Sequence, residues 1–319
     1  MLLPVTEELP EYLYHYTDIN GLYGIWGDEA LRLTDWRFLN DVHEPTFGMG
    51  HVESAIAQFP ERLLATGESK EEINRSLKQF QQMIRSVKDY WSSTDGYMHV
   101  GCLTSAPDLL SQWRGYAVDG YCIEFDVARL QDHWANPETL EPLRKYHKKA
   151  PDPKPLGKVR LDQVAYVGNE LDNADSIRKL LDDAFGRWRE ASVSATREDE
   201  WLHDSMLVMI SLGDQLIEAA AFRKNSAFAE EREYRVSYSP SSPSLFTPGR
   251  YGLVPRFELP IPREAITSVT VGPNRDKELQ VSSLETFFEI NQFGEETGYE
   301  HPPFRLRRVA VKKSKIPLR

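Results

Sequence analysis

Cysteine is nearly absent from this 319-residue chain: there are two, Cys102 and Cys122. That excludes a disulfide framework, and two cysteines alone form no metal-binding spacing. Both lie in apolar strand-like runs and read as reduced core residues of a cytoplasmic protein. Long apolar runs are missing too. Without a stretch of about 18 apolar residues no membrane span is expected, and MLLPVTEELPEY has neither the basic start nor the apolar middle of a secretory signal. Positive charge is in short supply, with 38 Lys and Arg against 49 Asp and Glu and a net charge of −11. Phosphate contacts need Lys and Arg, so such a chain is a poor general binder of nucleic acid, although a small basic groove is still allowed. There is no Gly-rich phosphate loop, no G-x-S-x-G, no H-E-x-x-H and no Cys–His signature.

What is present is ordinary globular material, 40% hydrophobic and 27% charged. YLYHYT reads as a strand. Asp18 caps a short helix with Ile19, Leu22, Tyr23 and Trp26 at helical spacing. ALRLTDWRFLNDVHEP reads as a strand and then a loop. Residues 52–92 read as helical, with a capping box at Ser69 and Glu72 and a stripe of Ile73, Leu77, Phe80, Ile84 and Val87. Strands are expected at 97–105, 120–126 and 159–167, with a short helix over 107–117 and an exposed Pro- and Lys-rich excursion over 136–158. Residues 174–224 return to helix. FAEEREYRV reads as a strand, 239–255 as a loop, 265–274 as a strand and 304–313 as a last strand. Strands and helices mix without regular βαβ alternation, which predicts an α+β fold with a mainly antiparallel sheet and flanking helices. A single domain over 1–319, with a helical insertion at 52–92 and a helical segment at 174–224, fits better than two.

Four clusters carry possible chemistry. His15, Tyr16 and Thr17 offer an imidazole, a phenol and a hydroxyl beside a helix N-terminus that favours an anion; the plainer reading is a structural histidine on a strand. Asn40, Asp41, His43 and Glu44 form a turn, or three metal ligands. Trp113 and Arg114 offer a stacking ring and a phosphate fork, or a core tryptophan and an arginine paired with Asp119 or Glu124. In an extended AEEREYRV, Glu231, Glu233 and Arg235 share one face and Arg232, Tyr234 and Val236 the other. Such a strand is a charged solvated edge, or a site where one carboxylate steadies an oxocarbenium-like transition state and the other positions an acceptor.

In their order and spacing, YHYT, FLNDVHE, SQWRGYA, GYCIEFD, FAEEREYRV and ITSVTVGPN resemble the domain of unknown function 2971 family over about residues 12–275. Some members of that family carry the label of AbiGi-like abortive-infection proteins. The layout is also distantly similar to the ADP-ribosyltransferase superfamily, in the group with a His-Tyr-Glu type of site. That likeness implies a split, mainly antiparallel sheet that clamps NAD as substrate. It implies His15 as the first motif residue, Tyr121 as the nearest middle one, preceded by Trp113 and Arg114, and Glu233 or Glu231 as the third.

On that resemblance His15 holds the adenosine ribose, Tyr16 shapes the pocket, Thr17 touches phosphate and Arg114 faces the pyrophosphate. Glu233 holds the nicotinamide ribose and Glu231 activates the acceptor. The implied function is an NAD-cleaving effector of bacterial phage defence with an unknown protein or nucleic-acid acceptor, an antitoxin or defence partner, and no metal. Two alternatives stand beside it: a non-catalytic sensor module, and a metal-dependent nuclease built on Asp41, His43 and Glu44.

Overall fold

The tyrosine-rich YLYHYT suits a pleated strand and forms β1 (Tyr12–Thr17). A computed structural model describes residues 8–41, 43–63, 77–82, 84, 98–136, 159–168, 175–194, 198–240, 243–250, 252–291 and 309–317. Asp18 ends β1 by accepting a hydrogen bond from the Gly21 amide at 2.7 Å, which starts α1 (Ile19–Asp28). The helix buries Leu22, Ile25 and Trp26, while Ile19 and Tyr23 face outward. Its apolar stripe is therefore turned toward Ile25 from the expected one. Glu29, in the left-handed conformation, reverses the chain into β2 (Ala30–Asp35).

The next helix, α2 (His43–Leu63), begins nine residues before position 52, because Asp41 accepts from the His43 amide at 2.8 Å and caps its start. Leu77, Phe80 and Ile84 of the expected stripe are buried; Ser69, Glu72, Ile73 and Val87 lie outside the described residues, as does most of 136–158. The helical stretch 174–224 is two helices, α5 (Asp175–Ser194) and α6 (Glu198–Ala221), that stop before Lys224. Shorter helices are α3 (Leu110–Tyr116), α4 (Val127–Ala135) and α7 (Lys277–Asn291), and residues 77–82 and 84 are helical too. Asp126 caps α4 as its sequence suggests, accepting from the Arg129 amide at 3.2 Å.

The main sheet takes β3 (His99–Thr104), β4 (Tyr121–Asp126), β5 (Arg160–Gln163), β8 (Glu233–Tyr238), β9 (Leu245–Gly249), β10 (Gly252–Pro260), β11 (Ile266–Val271) and β12 (Ala310–Lys313). One path runs β12-β11-β4-β1-β3-β2-β10-β9, and β8 joins β3 to β5 off that path. The β11–β12 pair is parallel and the rest of the sheet antiparallel. A separate parallel pair joins β6 (Ala165–Val167) to β7 (Arg223–Asn225). The fold is thus mixed α/β around a mainly antiparallel open sheet.

The sheet forks at β3. One edge of β3 pairs with β8 along its length, from His99 opposite Tyr238 to Thr104 opposite Glu233. The other edge is divided. Asp35 and Thr34 of β2 stand opposite His99 and Val100, and Tyr14 of β1 stands opposite Thr104. Gly101, Cys102 and Leu103 between them face a gap where β1 and β2 part.

Two cores brace the fork. Leu13, Ile123, Phe125 and Val269 of the sheet pack against Leu22 and Trp26 of α1, Leu130 of α4 and Phe288 of α7. Val52 and Phe59 of α2, Phe80, Phe185, Trp188 and Leu216 pack together with Trp36 and Val100. Gly48 lets α2 lie directly on α6, since a Cβ there would fall 2.2 Å from the Ala220 carbonyl oxygen.

Two expectations fail here. Residues 239–255 are not a loop throughout: β9 and the start of β10 form a hairpin. Pro255 hides it in the sequence, but pairing with β2 begins only at Arg256, so the missing N–H breaks no β2 ladder bond. Nor is β8 a solvated edge. It lies between β3 and β5, and every residue of it is buried.

Candidate functional site

Two cavities, of about 350 and 710 Å³, meet at the fork. His15, Arg32, Gly101, Cys102, Leu103 and Arg256 border both. Tyr16 borders the larger cavity and Thr17 the smaller, so the three residues of the first cluster share one cleft.

His15 sits where the β1–β3 ladder has opened. Its Nδ1 is 3.0 Å from the Cys102 carbonyl oxygen. A carbonyl only accepts, so Nδ1 carries the hydrogen, and in the neutral ring Nε2 is left as an acceptor. Burial holds the His15 pKa below its ordinary value, against the opposing pull of that hydrogen bond. Tyr16 is fixed by its hydroxyl, which donates to the Ala106 carbonyl and accepts from the Leu109 amide, both at 2.9 Å.

Opposite lies a buried charge network. Lys224 of β7 reaches Glu44 at 2.9 Å, Glu231 at 2.7 Å and Glu233 at 2.8 Å. Arg235 reaches Glu233 and Glu44, each at 2.6 Å, and also donates to the Ala221 carbonyl. Three carboxylates against two cations leave one surplus negative charge on this wall.

Burial pushes the Glu233 carboxyl up, but Arg235 and Lys224 outweigh it and hold its pKa at about 2. Glu231 goes the other way. Burial raises its pKa, and Glu233 and Glu44 add to that against the pull of Lys224. Glu231 therefore takes up a proton more readily than Glu233 does.

The chain makes this convergence by a turn. Residues Ser226–Glu231 form a 3-10 helix, and Arg232 takes a left-handed φ of 46° before β8 begins. Such a conformation is costly for a non-glycine residue and survives where its surroundings fix it. Here the Ser105 amide donates to the Arg232 carbonyl at 3.1 Å, Thr104 donates to the Glu231 carbonyl at 2.6 Å, and the Glu233 amide donates to the Tyr166 hydroxyl at 2.8 Å. Glu231 is thus not on the strand, and the shared face expected of an extended 231–235 is not how the carboxylates meet. They meet on Lys224.

Other expected residues lie elsewhere. Trp113 is buried edge-on against Tyr16, with centroids 4.7 Å apart, and its indole N–H donates to Asp108 at 2.7 Å. Its ring is core, not a platform for a base. Tyr121 is buried in the larger core. Arg114 is exposed on α3 and does not border the cleft. Cys102, read as a core residue, is exposed at the cleft, while Cys122 is buried. Asp41, His43 and Glu44 do not converge as metal ligands: Asp41 caps α2, and Glu44 is held by Lys224 and Arg235. Among the described residues no group of three His, Cys, Asp or Glu side chains is placed to hold a metal ion, and no helix is long and apolar enough to cross a membrane.

The cleft also holds residues the sequence reading passed over. Tyr116 borders it from α3, with burial and nearby Glu231 raising its phenol pKa. It lies in the same SQWRGYA segment, one helical turn past Trp113, so helical periodicity pairs a buried Trp113 with a cleft-facing Tyr116. Lys224 carries no such signal.

Residues 112–236 match the family described as protein of unknown function (DUF2971). That span is less than half of the chain. It holds Tyr116, Lys224, Glu231, Glu233 and Arg235, and it leaves out His15 and Glu44. No curated protein and no solved structure matches the chain.

The lowered Glu233 pKa sets an acid response. A carboxyl held at about 2 against an ordinary 4.5 contributes stability that is complete above 4.5 and is lost as pH falls toward 2. That contribution is on the order of 3 kcal/mol. In urea unfolding, Glu233→Gln is expected to be less stable than wild type at pH 7, with the gap closing between pH 4.5 and 2. A gap independent of pH over that window would show that Glu233 does not titrate with the fold.

Proposed function

We propose that the fork cleft binds NAD and cleaves its nicotinamide–ribose bond, passing ADP-ribose to an acceptor. The observation that supports this reading is the meeting of two distant segments, residues 15–17 and 231–233, on one cleft in a split sheet. In the reaction the nicotinamide leaves with the electron pair of the glycosidic bond. The ribosyl cation is captured by a lone pair of the acceptor, whose proton passes to Glu231. The surplus negative charge of the carboxylate wall suits that cation. His15 Nε2 suits a ribose hydroxyl as donor, and Thr17 extends the same wall. Glu231 is the acting carboxylate, because both oxygens of Glu233 are held by cations. Glu233 is then a positioning residue for Lys224 and Arg235. The reading extends to a bacterial phage-defence effector, on the abortive-infection label that some members of the resembled family carry, with the acceptor a protein or nucleic acid.

The same saturation of Glu233 supports a second reading, a sensor module that binds the nucleotide without turning it over. Calorimetry with NAD on wild type and His15→Ala tests what the two readings share. Wild type is expected to bind in the micromolar to millimolar range and the variant about tenfold or more weakly. Equal binding by both proteins would remove His15 from the site, and no heat from wild type would remove NAD.

A further inference from the structure

Arg256 is unlike the other arginines that border the cleft. Arg32 pairs with Asp28 at 2.8 Å and Glu258 at 3.3 Å, and Arg235 pairs with Glu233 and Glu44. Arg256 pairs with no carboxylate among the described residues. Its Nε donates to the Thr247 hydroxyl at 3.0 Å and its Nη1 to the Thr34 hydroxyl, both neutral partners. Nη2 makes no hydrogen bond among the described residues. The register explains how it is held. Arg256 stands opposite Thr34 across β10 and β2, and Val254, two residues before it, stands opposite Thr247 of β9. The side chain is half-buried and borders both cavities where they meet.

A half-buried guanidinium without a counter-ion is costly. Burial and the neighbouring Arg32 both press its pKa down, which is the strain an arriving anion relieves. Two threonines fix the plane of the group and leave Nη2 and the second Nη1 hydrogen to donate. A planar fork of that kind matches the oxygens of a phosphate.

We infer that Arg256, with Arg32 beside it, is an anion subsite of the cleft that takes the phosphate or diphosphate of a nucleotide. This replaces Arg114, which lies outside the cleft, in the phosphate role. The cleft is then polar in a definite sense, with a surplus carboxylate on the β7–β8 wall and an unpaired cation on the β2–β10 arm. A ligand with a cationic ring at one end and phosphates behind it satisfies both. The identity of that whole ligand rests on the NAD reading; the anion subsite does not.

The test is calorimetry with inorganic pyrophosphate, ADP, adenosine and NAD on wild type, R256Q and R256K, with thermal melts confirming that each folds. Wild type is expected to bind ADP and pyrophosphate, more weakly as salt rises. R256Q is expected to lose about tenfold or more on both, the scale of a charge-assisted pair, with adenosine unchanged. R256K, which keeps the charge and loses the fork, is expected to fall between, and it carries the test if R256Q does not fold. ADP and pyrophosphate binding unchanged in the folded variants overturns the subsite, as does a wild type that binds neither. If NAD binds equally to wild type and R256Q, the subsite fails and the NAD reading stands. If pyrophosphate and ADP bind through Arg256 but NAD does not bind, the subsite stands and the NAD reading falls.

Discussion

Arg235→Met is expected to remove about 3–5 kcal/mol of folding stability, the usual cost of breaking a buried ion pair from one side. The Arg235 side chain is 1% exposed and ties three elements together: Glu233 on its own strand, Glu44 at the start of α2, and the Ala221 carbonyl at the end of α6. Methionine fills much of the volume but leaves Glu233 and Glu44 to share Lys224 with Glu231, three carboxylates on one ammonium. Repulsion and lost hydrogen bonds then add to the desolvation already suffered by Glu233. Urea unfolding at pH 7 measures the loss, and Glu44→Gln in the Arg235→Met background should recover part of it, because one surplus charge is gone. A loss below about 1 kcal/mol, within the range of an ordinary surface substitution, would mean that apolar packing alone seats α2 against β8.

If the cleft cleaves NAD as proposed, Glu231→Gln is expected to lower that cleavage about 100- to 1,000-fold while leaving most of the stability in place. Glu231 is half-buried and gives only one oxygen to Lys224, so its amide isostere keeps the packing and a weaker contact. What it loses is the negative charge and the capacity to take a proton. Nicotinamide release under saturating NAD reads the effect, which should fall on kcat with KM little changed if the carboxylate acts in the transition state. Cleavage within about threefold of wild type, a difference of under 1 kcal/mol in the barrier, would sink Glu231 as the acting group.

The sequence is most legible where a strand carries its own pattern. β1, β3, β4 and β11 are short apolar runs bounded by caps or turns, and they lie where those runs predict. Asp18 and Asp126 cap because a single carboxylate and the next amides suffice. The hairpin of β9 and β10 is obscured by Pro248 and Pro255, whose cost depends on which edge of the strand is paired. The carboxylates at 231 and 233 are correctly brought together for the wrong local reason, since the chain turns at Arg232 rather than running extended. Lys224 is invisible in sequence because its role depends on α2 meeting β7 and β8, which follow it only much later in the chain. Arg256 is missed with the strand that carries it. Trp113 and Tyr116 sit one turn apart on the same side of α3, and only the placement of that helix decides that the first is core and the second borders the cleft.

A forked sheet has three outer ends where an open one has two, and each unpaired strand edge invites a second molecule to add on. β12 closes the first end with exposed Lys312 and Lys313. β9 closes the second with Pro248, which has no amide hydrogen to offer, followed by Gly249. β5 closes the third by being four residues long and carrying the Arg160–Asp162 ion pair at 2.6 Å. Among the described residues, the added branch point of the main sheet is therefore matched by an added guard at its outer end, while the cleft opens inside the fork.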